Sequence, residues 1–237
     1  MTEELFRDDS YLKSCQATVT AVGAGGIELD RTVFYATGGG QAGDTGTLEH
    51  GGGTVEIVDT HKDRETGAYL HVPAIPAHGA ALPAIGDTVT AEINWQRRHR
   101  HMRMHSCLHL LCSVIDGGVT GGSITEAKGR LDFDIPDAGI DKEALSEELN
   151  KLARRELPVT IGWISDEDLA AQPDLVRTWS VRPPKDTGKV RMIAVGDVDL
   201  QPCGGTHVAN TREIGPLQVS KIEKKGARNR RVRIVLS

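Results

Sequence analysis

The sequence predicts an α+β protein. Three observations carry that expectation: a first third made of short β-like runs, a change to helical periodicity near residue 97, and a second helical segment among later strand-like runs. From about Cys15 to Trp95, the runs ATVTAV, RTVFYA, TVEIVDT, AYLHV and DTVTAEINW alternate with glycines, prolines and acidic turns. Such spacing predicts a small barrel or sandwich. Two loops interrupt it, the glycine-rich ATGGGQAGDTG at 36–46 and the proline- and alanine-rich PAIPAHGAALPAIGD at 73–87. Neither leads from a strand into a helix. From Arg97 to about Ile115, Met104, Leu108, Leu111 and Ile115 form an apolar stripe at helical spacing, and Gly117 and Gly118 supply a stop. The expected domain boundary therefore falls near Asn94, giving domains 1–94 and 95–237. A second helix is expected from an Asp141 cap through Leu145, Leu149 and Leu152, ending before Pro158. RLDFDI, PVTIGWIS, KVRMIAV, GPLQVSKIE and RRVRIVL read as strands of a largely antiparallel sheet.

Bulk composition narrows the class. A chain of 237 residues can form one large domain or two smaller ones, and two are expected. Charged residues make up 26%, and no apolar run approaches the ~18 residues needed to span a bilayer. The opening MTEELFRDDSYLKS has no basic region followed by an apolar one, so neither an export signal nor an anchor is expected, and the protein is placed in the cytoplasm. Cys15, Cys107, Cys112 and Cys203 are scattered, which suits reduced thiols or metal ligands better than a disulfide framework. The net charge of −5 argues against indiscriminate nucleic-acid binding. Its distribution is uneven, however. Residues 95–103 carry four arginines, and residues 221–233 carry seven basic residues against one glutamate. Either run alone is most simply a solvated face, but together they can restrict a polyanion to one side.

The chemistry-bearing residues lie in two stretches. In HMRMHSCLHLLC, His105 and His109 stand one helical turn apart, so both imidazoles leave one face and can share an ion. Position 106 is Ser, so the glutamate base of an HExxH metalloprotease is missing. His101 extends the same stripe, which makes a 101/105 pair a competitor. In QPCGGTHVANT, Cys203 and His207 are separated by two glycines and a threonine that let the backbone turn tightly. Thiolate and imidazole together suit Zn²⁺. CxxxH alone is a weak signal; joined to HxxxH it predicts a zinc site.

HSCLH, PCGGTHVANTREIG, KIEKKGARNRRVRI and FYATGGGQAGDTG together resemble the editing region of alanyl-tRNA synthetases and their free-standing relatives, the AlaX proteins. The motifs occur in the same order over nearly the whole chain, and the glycine-rich segment ahead of HxxxH is similar to that of the medium, two-domain AlaX type. The resemblance implies an N-terminal small β-barrel like the second domain of translation factors. It implies a C-terminal α+β editing domain with an antiparallel sheet, the domain common to threonyl- and alanyl-tRNA synthetases. It also implies trans-acting hydrolysis of mischarged tRNA(Ala), chiefly Ser-tRNA(Ala), with Gly-tRNA(Ala) as a second candidate. One departure stands out: the synthetase domains often have Thr before the second histidine, where this chain has Leu108.

On this reading His105, His109 and Cys203 hold Zn²⁺, with His207 either completing the shell or poised beside it. Cys203 and His207 are the candidate catalytic residues. The glycine-rich loop, by resemblance beside the pocket, offers Thr37, Gly38, Gly39, Gly40, Gln41 and Asp44 for substrate binding, with Thr120 as a substitute hydroxyl. Arg97, Arg98, Arg100, Lys224, Lys225, Arg228, Arg230 and Arg231 are the candidates for contacts to tRNA phosphates. Two other classes compete. One is a non-catalytic zinc-stabilised RNA-binding module. The other is a zinc hydrolase or deaminase acting on a small molecule, which ranks last because the HxE and PCxxC signature is absent.

Overall fold

The computed structural model describes residues 2–74, 81–135, 139–178 and 188–237, so part of the 73–87 loop lies outside the described residues. The chain divides into two compact units, one of residues 1–38 and 42–99 and one of residues 39–41 and 100–237.

The first unit contains β1 (Glu3–Glu4), β2 (Ser14–Gly23), β3 (Gly26–Leu29), β4 (Arg31–Thr32), β5 (Gly46–His50), β6 (Gly53–Lys62), β7 (Tyr69–Pro73) and β8 (Thr88–Ile93). Six of these close into a barrel in the order β2-β3-β7-β6-β5-β8, while β1 pairs in parallel with β4. Alternation drives the closure. Ala17 and Val19, Val55 and Ile57, and Val89, Ala91 and Ile93 are buried at every second position, packing with Leu29 and Leu48 into one core.

RTVFYA departs from the expected strand, because only Arg31 and Thr32 enter a ladder. Buried side chains satisfy the backbone beyond them: Phe34 N–H donates to Thr32 Oγ1 (3.0 Å) and Tyr35 N–H to Asp44 Oδ2 (2.7 Å). Val33 O accepts from Arg98 Nη2 at 2.6 Å. Arg98 itself is fully buried; its Nε donates to Asp44 Oδ1 and Oδ2 (3.1 and 2.9 Å), and its Nη1 donates to Ser10 O (3.0 Å). Two sequence expectations are corrected here. Arg98 has no surface to offer a phosphate, and Asp44, 1% exposed, is not a substrate contact but the counter-charge of a buried pair.

Helix α1 (Trp95–Val114) contains the boundary between the units, its residues from Arg100 onward belonging to the second. Within that unit follow β9 (Gly118–Ile124), β10 (Lys128–Asp134), α2 (Lys142–Arg154), β11 (Val159–Ser165), α3 (Asp166–Ala171), β12 (Lys189–Val195), β13 (Asp199–Pro202), β14 (Leu217–Lys224) and β15 (Asn229–Leu236). One antiparallel sheet has the order β14-β15-β10-β9 and another the order β11-β12-β13. From His101 to Cys112 every α1 residue except Arg103 is buried. A helix enclosed on all sides needs more than one apolar stripe, and its polar side chains must find partners inside. Asp141 caps α2 by accepting from Ala144 N–H at 2.6 Å. Asn150 then locks that helix to β14, donating to Leu217 O (2.8 Å) and accepting from Leu217 N–H (3.1 Å). Among the described residues no helix is long and apolar enough to cross a membrane.

Candidate active site

The site is built inside the second unit from α1 and the turn that follows β13. His105 and His109, one turn apart on α1, have ring centroids 5.5 Å apart. The His207 ring lies 4.2 Å from that of His105 and 4.6 Å from that of His109. Cys203 Sγ stands 3.5 Å from His105 Nε2 and 3.3 Å from His207 Nε2. One donor atom from each of the four residues lies within 4.8 Å of all the others. His101, also buried, is outside this group, so the 101/105 pairing is not the one the fold assembles.

A second layer orients each imidazole. His105 Nδ1 faces Gln41 Oε1 at 2.9 Å, and His109 Nδ1 faces Asp199 Oδ2 at 2.7 Å. His207 Nδ1 faces Ser106 Oγ at 3.2 Å. With the ring proton on Nδ1 in each case, the Nε2 lone pairs of His105 and His207 are left toward the thiol, the arrangement of metal-bound histidines. Gln201 Nε2 donates to Asp199 Oδ2 (2.9 Å), steadying the carboxylate behind His109. The turn itself is pinned by Arg191, whose Nη1 donates to the carbonyls of Cys203 (2.8 Å) and Gly205 (2.9 Å). Gly205 has to be glycine, since a Cβ there would lie 2.2 Å from His105 Cε1.

Electrostatics single out one of the four cysteines. Burial pushes the thiols of Cys107 and Cys112 up to about 12, and burial also raises that of Cys15. Burial acts in the same direction on Cys203, but His105 and His207 overcome it and hold the thiol well below its ordinary value. Thiolate is the form that binds metal. His109 is shifted up to about 10: burial favours the neutral ring, yet the hydrogen bonds and charges of Asp199 and Cys203 together outweigh it. His207 is pushed well below its ordinary value by burial and by neighbouring His105. A cationic His109 and a neutral His207 beside a thiolate form a charge pattern that a divalent cation can replace. Three imidazoles and one thiolate thus fit zinc in donor chemistry.

Beside the donors lies a cavity of about 260 Å³, walled by His105, His109 and Gln201, by Leu108, Val119 and Leu131, and by the bare backbone of Gly39, Gly40, Gly121 and Gly122. From the glycine-rich loop, Gly39 and Gly40 line it, and Gln41 is fully buried, donating through Nε2 to Thr206 Oγ1 at 2.9 Å. Thr37 and Gly38 belong to the barrel unit, where Thr37 Oγ1 accepts from Gly43 N–H (2.8 Å) and Gly38 O from the Tyr35 hydroxyl (2.7 Å). Thr120 is corrected: it is exposed, donates to Asp132 O at 3.2 Å and accepts from Asn229 Nδ2 at 3.0 Å, and does not line the cavity. Sequence reasoning missed Ser106, Asp199 and Gln201 around the donors, and Ser123 and Thr178 on the cavity wall.

Several cations of the basic runs have a carboxylate or carbonyl partner within the fold. Arg230, 4% exposed, is corrected as a phosphate contact because its guanidinium donates to the carbonyls of Gly226 and Asn229, both at 3.1 Å. Arg228 pairs with Asp134, Arg231 with Asp132, Arg100 with Glu126 and Lys225 with Glu223. Arg97 Nη2 donates to Gly43 O at 3.3 Å, and Lys224 is exposed.

Comparison with known proteins gives two family matches: threonyl and alanyl tRNA synthetase second additional domain over residues 190–233, and tRNA synthetases class II (A) over residues 5–97. Alanyl-tRNA editing protein AlaX-M of Methanosarcina acetivorans is 33% identical over 245 residues, covering 100% of this chain and 99% of that protein. Alanyl-tRNA editing protein AlaX-L of Pyrococcus horikoshii is 32% identical, with 95% of this chain matching 55% of its length. The alanine–tRNA ligase of Pyrobaculum aerophilum is 35% identical, with 94% of this chain matching 25% of the ligase.

Proposed function

The chain belongs to the AlaX family of alanyl-tRNA editing proteins, and from that premise we propose that it removes serine, and glycine as a second substrate, from tRNA(Ala) with zinc held by His105, His109, Cys203 and His207. It is an aminoacyl-tRNA deacylase that edits mischarged tRNA(Ala) in trans. The observation that carries the finer reading is the joining of a mixed imidazole and thiolate donor group to a cavity walled by two of the same imidazoles.

Such an editor has a physical motive. Alanine and glycine differ by one methyl, worth only about 1–3 kcal/mol, and a hydrophobic synthetic site poorly rejects an added hydroxyl. A separate hydrolytic pocket resolves what binding cannot. The chemistry a bound Zn²⁺ supplies is Lewis acidity, by which an ester carbonyl is polarised or water made more acidic. His207 is assigned as the fourth donor rather than a free base, because its Nε2 faces Cys203 and its Nδ1 is held by Ser106. The main chain of Gly39 and Gly40 lets the acceptor end approach without a side chain in the way, and Leu108, Val119 and Leu131 give the acyl group an apolar wall. Thr37 and Gly38 set the entry of that loop. Arg97, Arg100, Lys224, Lys225, Arg228 and Arg231 serve the phosphates, so binding weakens as salt rises.

A four-donor shell is also what a structural zinc has, and that observation favours the rival, a non-catalytic zinc-stabilised RNA-binding module. Deacylation of Ser-, Gly- and Ala-tRNA(Ala), with and without chelator, separates the two. Zinc-dependent release of serine with Ala-tRNA(Ala) spared is expected; no release of serine sinks the editing proposal. In Cys203→Ala, lost turnover and lost zinc with intact folding is the expected result, whereas unfolding assigns the metal a structural role.

A further inference from the structure

Two hydroxyl-bearing residues of the cavity wall have no side-chain partner among the described residues. His105, His109 and Gln201 are already engaged with Gln41, Asp199 and each other. Ser123 and Thr178 also line the cavity, and neither hydroxyl makes a hydrogen bond among the described residues. Ser123 is on β9, which the fold holds against the glycine loop: Ile124 N–H donates to Gly40 O at 2.7 Å. Thr178 is fixed at the other end of β9, where it bridges to Val119 and where Val119 N–H donates to Arg177 O at 2.8 Å. Around them the wall is aliphatic or glycine: Val119 is 1% and Ile124 3% exposed. Two hydroxyls beside the aliphatic and glycine part of the wall favour a ligand that can satisfy them over one that cannot.

We infer that Ser123 and Thr178 form the polar wall that selects a seryl over a glycyl or alanyl group. The inference rests on the deacylase reading and names its specificity device. A seryl side chain brings one O–H donor and two acceptor sites, so it can pair with a hydroxyl at either position. A methyl or a hydrogen leaves both wall hydroxyls unmet once the acyl group shuts out water, and the unmet partner penalises the wrong substrate. Leu108, the helix residue before His109, brings no polar atom, so selection passes to the strand side of the cavity.

The test uses the full chain and inert probes, adenosines carrying serine or glycine at the 3′ position through an amide. Ser123→Ala and Thr178→Val remove the hydroxyls, and the valine is close to isosteric with the threonine it replaces. Wild type is expected to bind the seryl probe more tightly than the glycyl one. At least one variant should lose seryl affinity by about 5- to 100-fold while glycyl affinity changes by less than about 2-fold. Folding is checked by circular dichroism and zinc content. Unchanged affinities in both variants, or parallel loss for both probes, overturn the inference. Wild type that prefers the seryl probe yet releases no serine from tRNA(Ala) overturns the deacylase reading and leaves this one standing.

Discussion

His71, inside the barrel, gives a pH dependence that can be worked from its surroundings. Its ring is fully buried, Nδ1 lies 2.9 Å from Ile27 O, and Nε2 lies 2.8 Å from Thr32 Oγ1, which in turn accepts from Phe34 N–H. Phe34 packs edge-on against it with centroids 5.1 Å apart. Burial pulls its pKa down to about 4, with the Ile27 hydrogen bond opposing only in part. In the unfolded chain the value returns to about 6.5. Between those two values the unfolded chain binds more protons, so stability rises with pH. The contribution is fully present above about 6.5 and is lost as the pH falls toward about 4. The gap of roughly 2.5 on the pH scale, at about 1.36 kcal/mol for each unit, amounts to about 3 kcal/mol. Urea unfolding of wild type and His71→Gln at several pH values isolates this group, because every other titration is common to both. Their stability difference should narrow by about 2–3 kcal/mol between roughly pH 7.5 and 4.5. Parallel curves, or an NMR titration of His71 in the wild type centred near about 6.5, would refute the reasoning.

Three further outcomes bear on the site and its support. Asp199→Asn removes the charge behind His109 while keeping its size, and zinc affinity measured by chelator competition should fall about 10- to 100-fold with the fold retained. Gly205→Ala drives a methyl into His105, so zinc content should drop and the melting temperature fall, the loss being on the order of 1–3 kcal/mol; a variant that keeps wild-type zinc affinity contradicts the close approach. Asp44→Ala strands the Arg98 guanidinium in the barrel and should cost about 3–5 kcal/mol in denaturant titration, whereas a change at the surface would cost almost nothing.

How much was legible follows from the range of each signal. HxxxH is local and its geometry is set by the helix alone, so His105 and His109 were readable, as was the tight turn between Cys203 and His207. Asp199 and Gln201 reach His109 only because β12 and β13 form a hairpin, and no local pattern announces that. Arg98 looked like one of four arginines in a basic run; its burial depends on Asp44, which lies 54 positions away. RTVFYA has strand composition, but buried side chains took over its backbone hydrogen bonds. In GVTGGSI the glycines hid β9, a strand whose small residues leave room for the cavity. Thr120 and Ser123 illustrate the cost: which of them lines the cavity depends on the strand they share, not on their residue type.

Gln41 sits 64 positions from His105 and 165 from Thr206, and Cys203 lies 98 positions beyond His105. Contacts of such separation close large loops and form only when most of the chain is in place. The donor cluster is therefore also a checkpoint on assembly. As the chain is synthesised, the two helical imidazoles emerge well before the thiol that must face them. A molecule in which Cys203 and His207 have not yet come to face His105 and His109 lacks the assembled donor cluster.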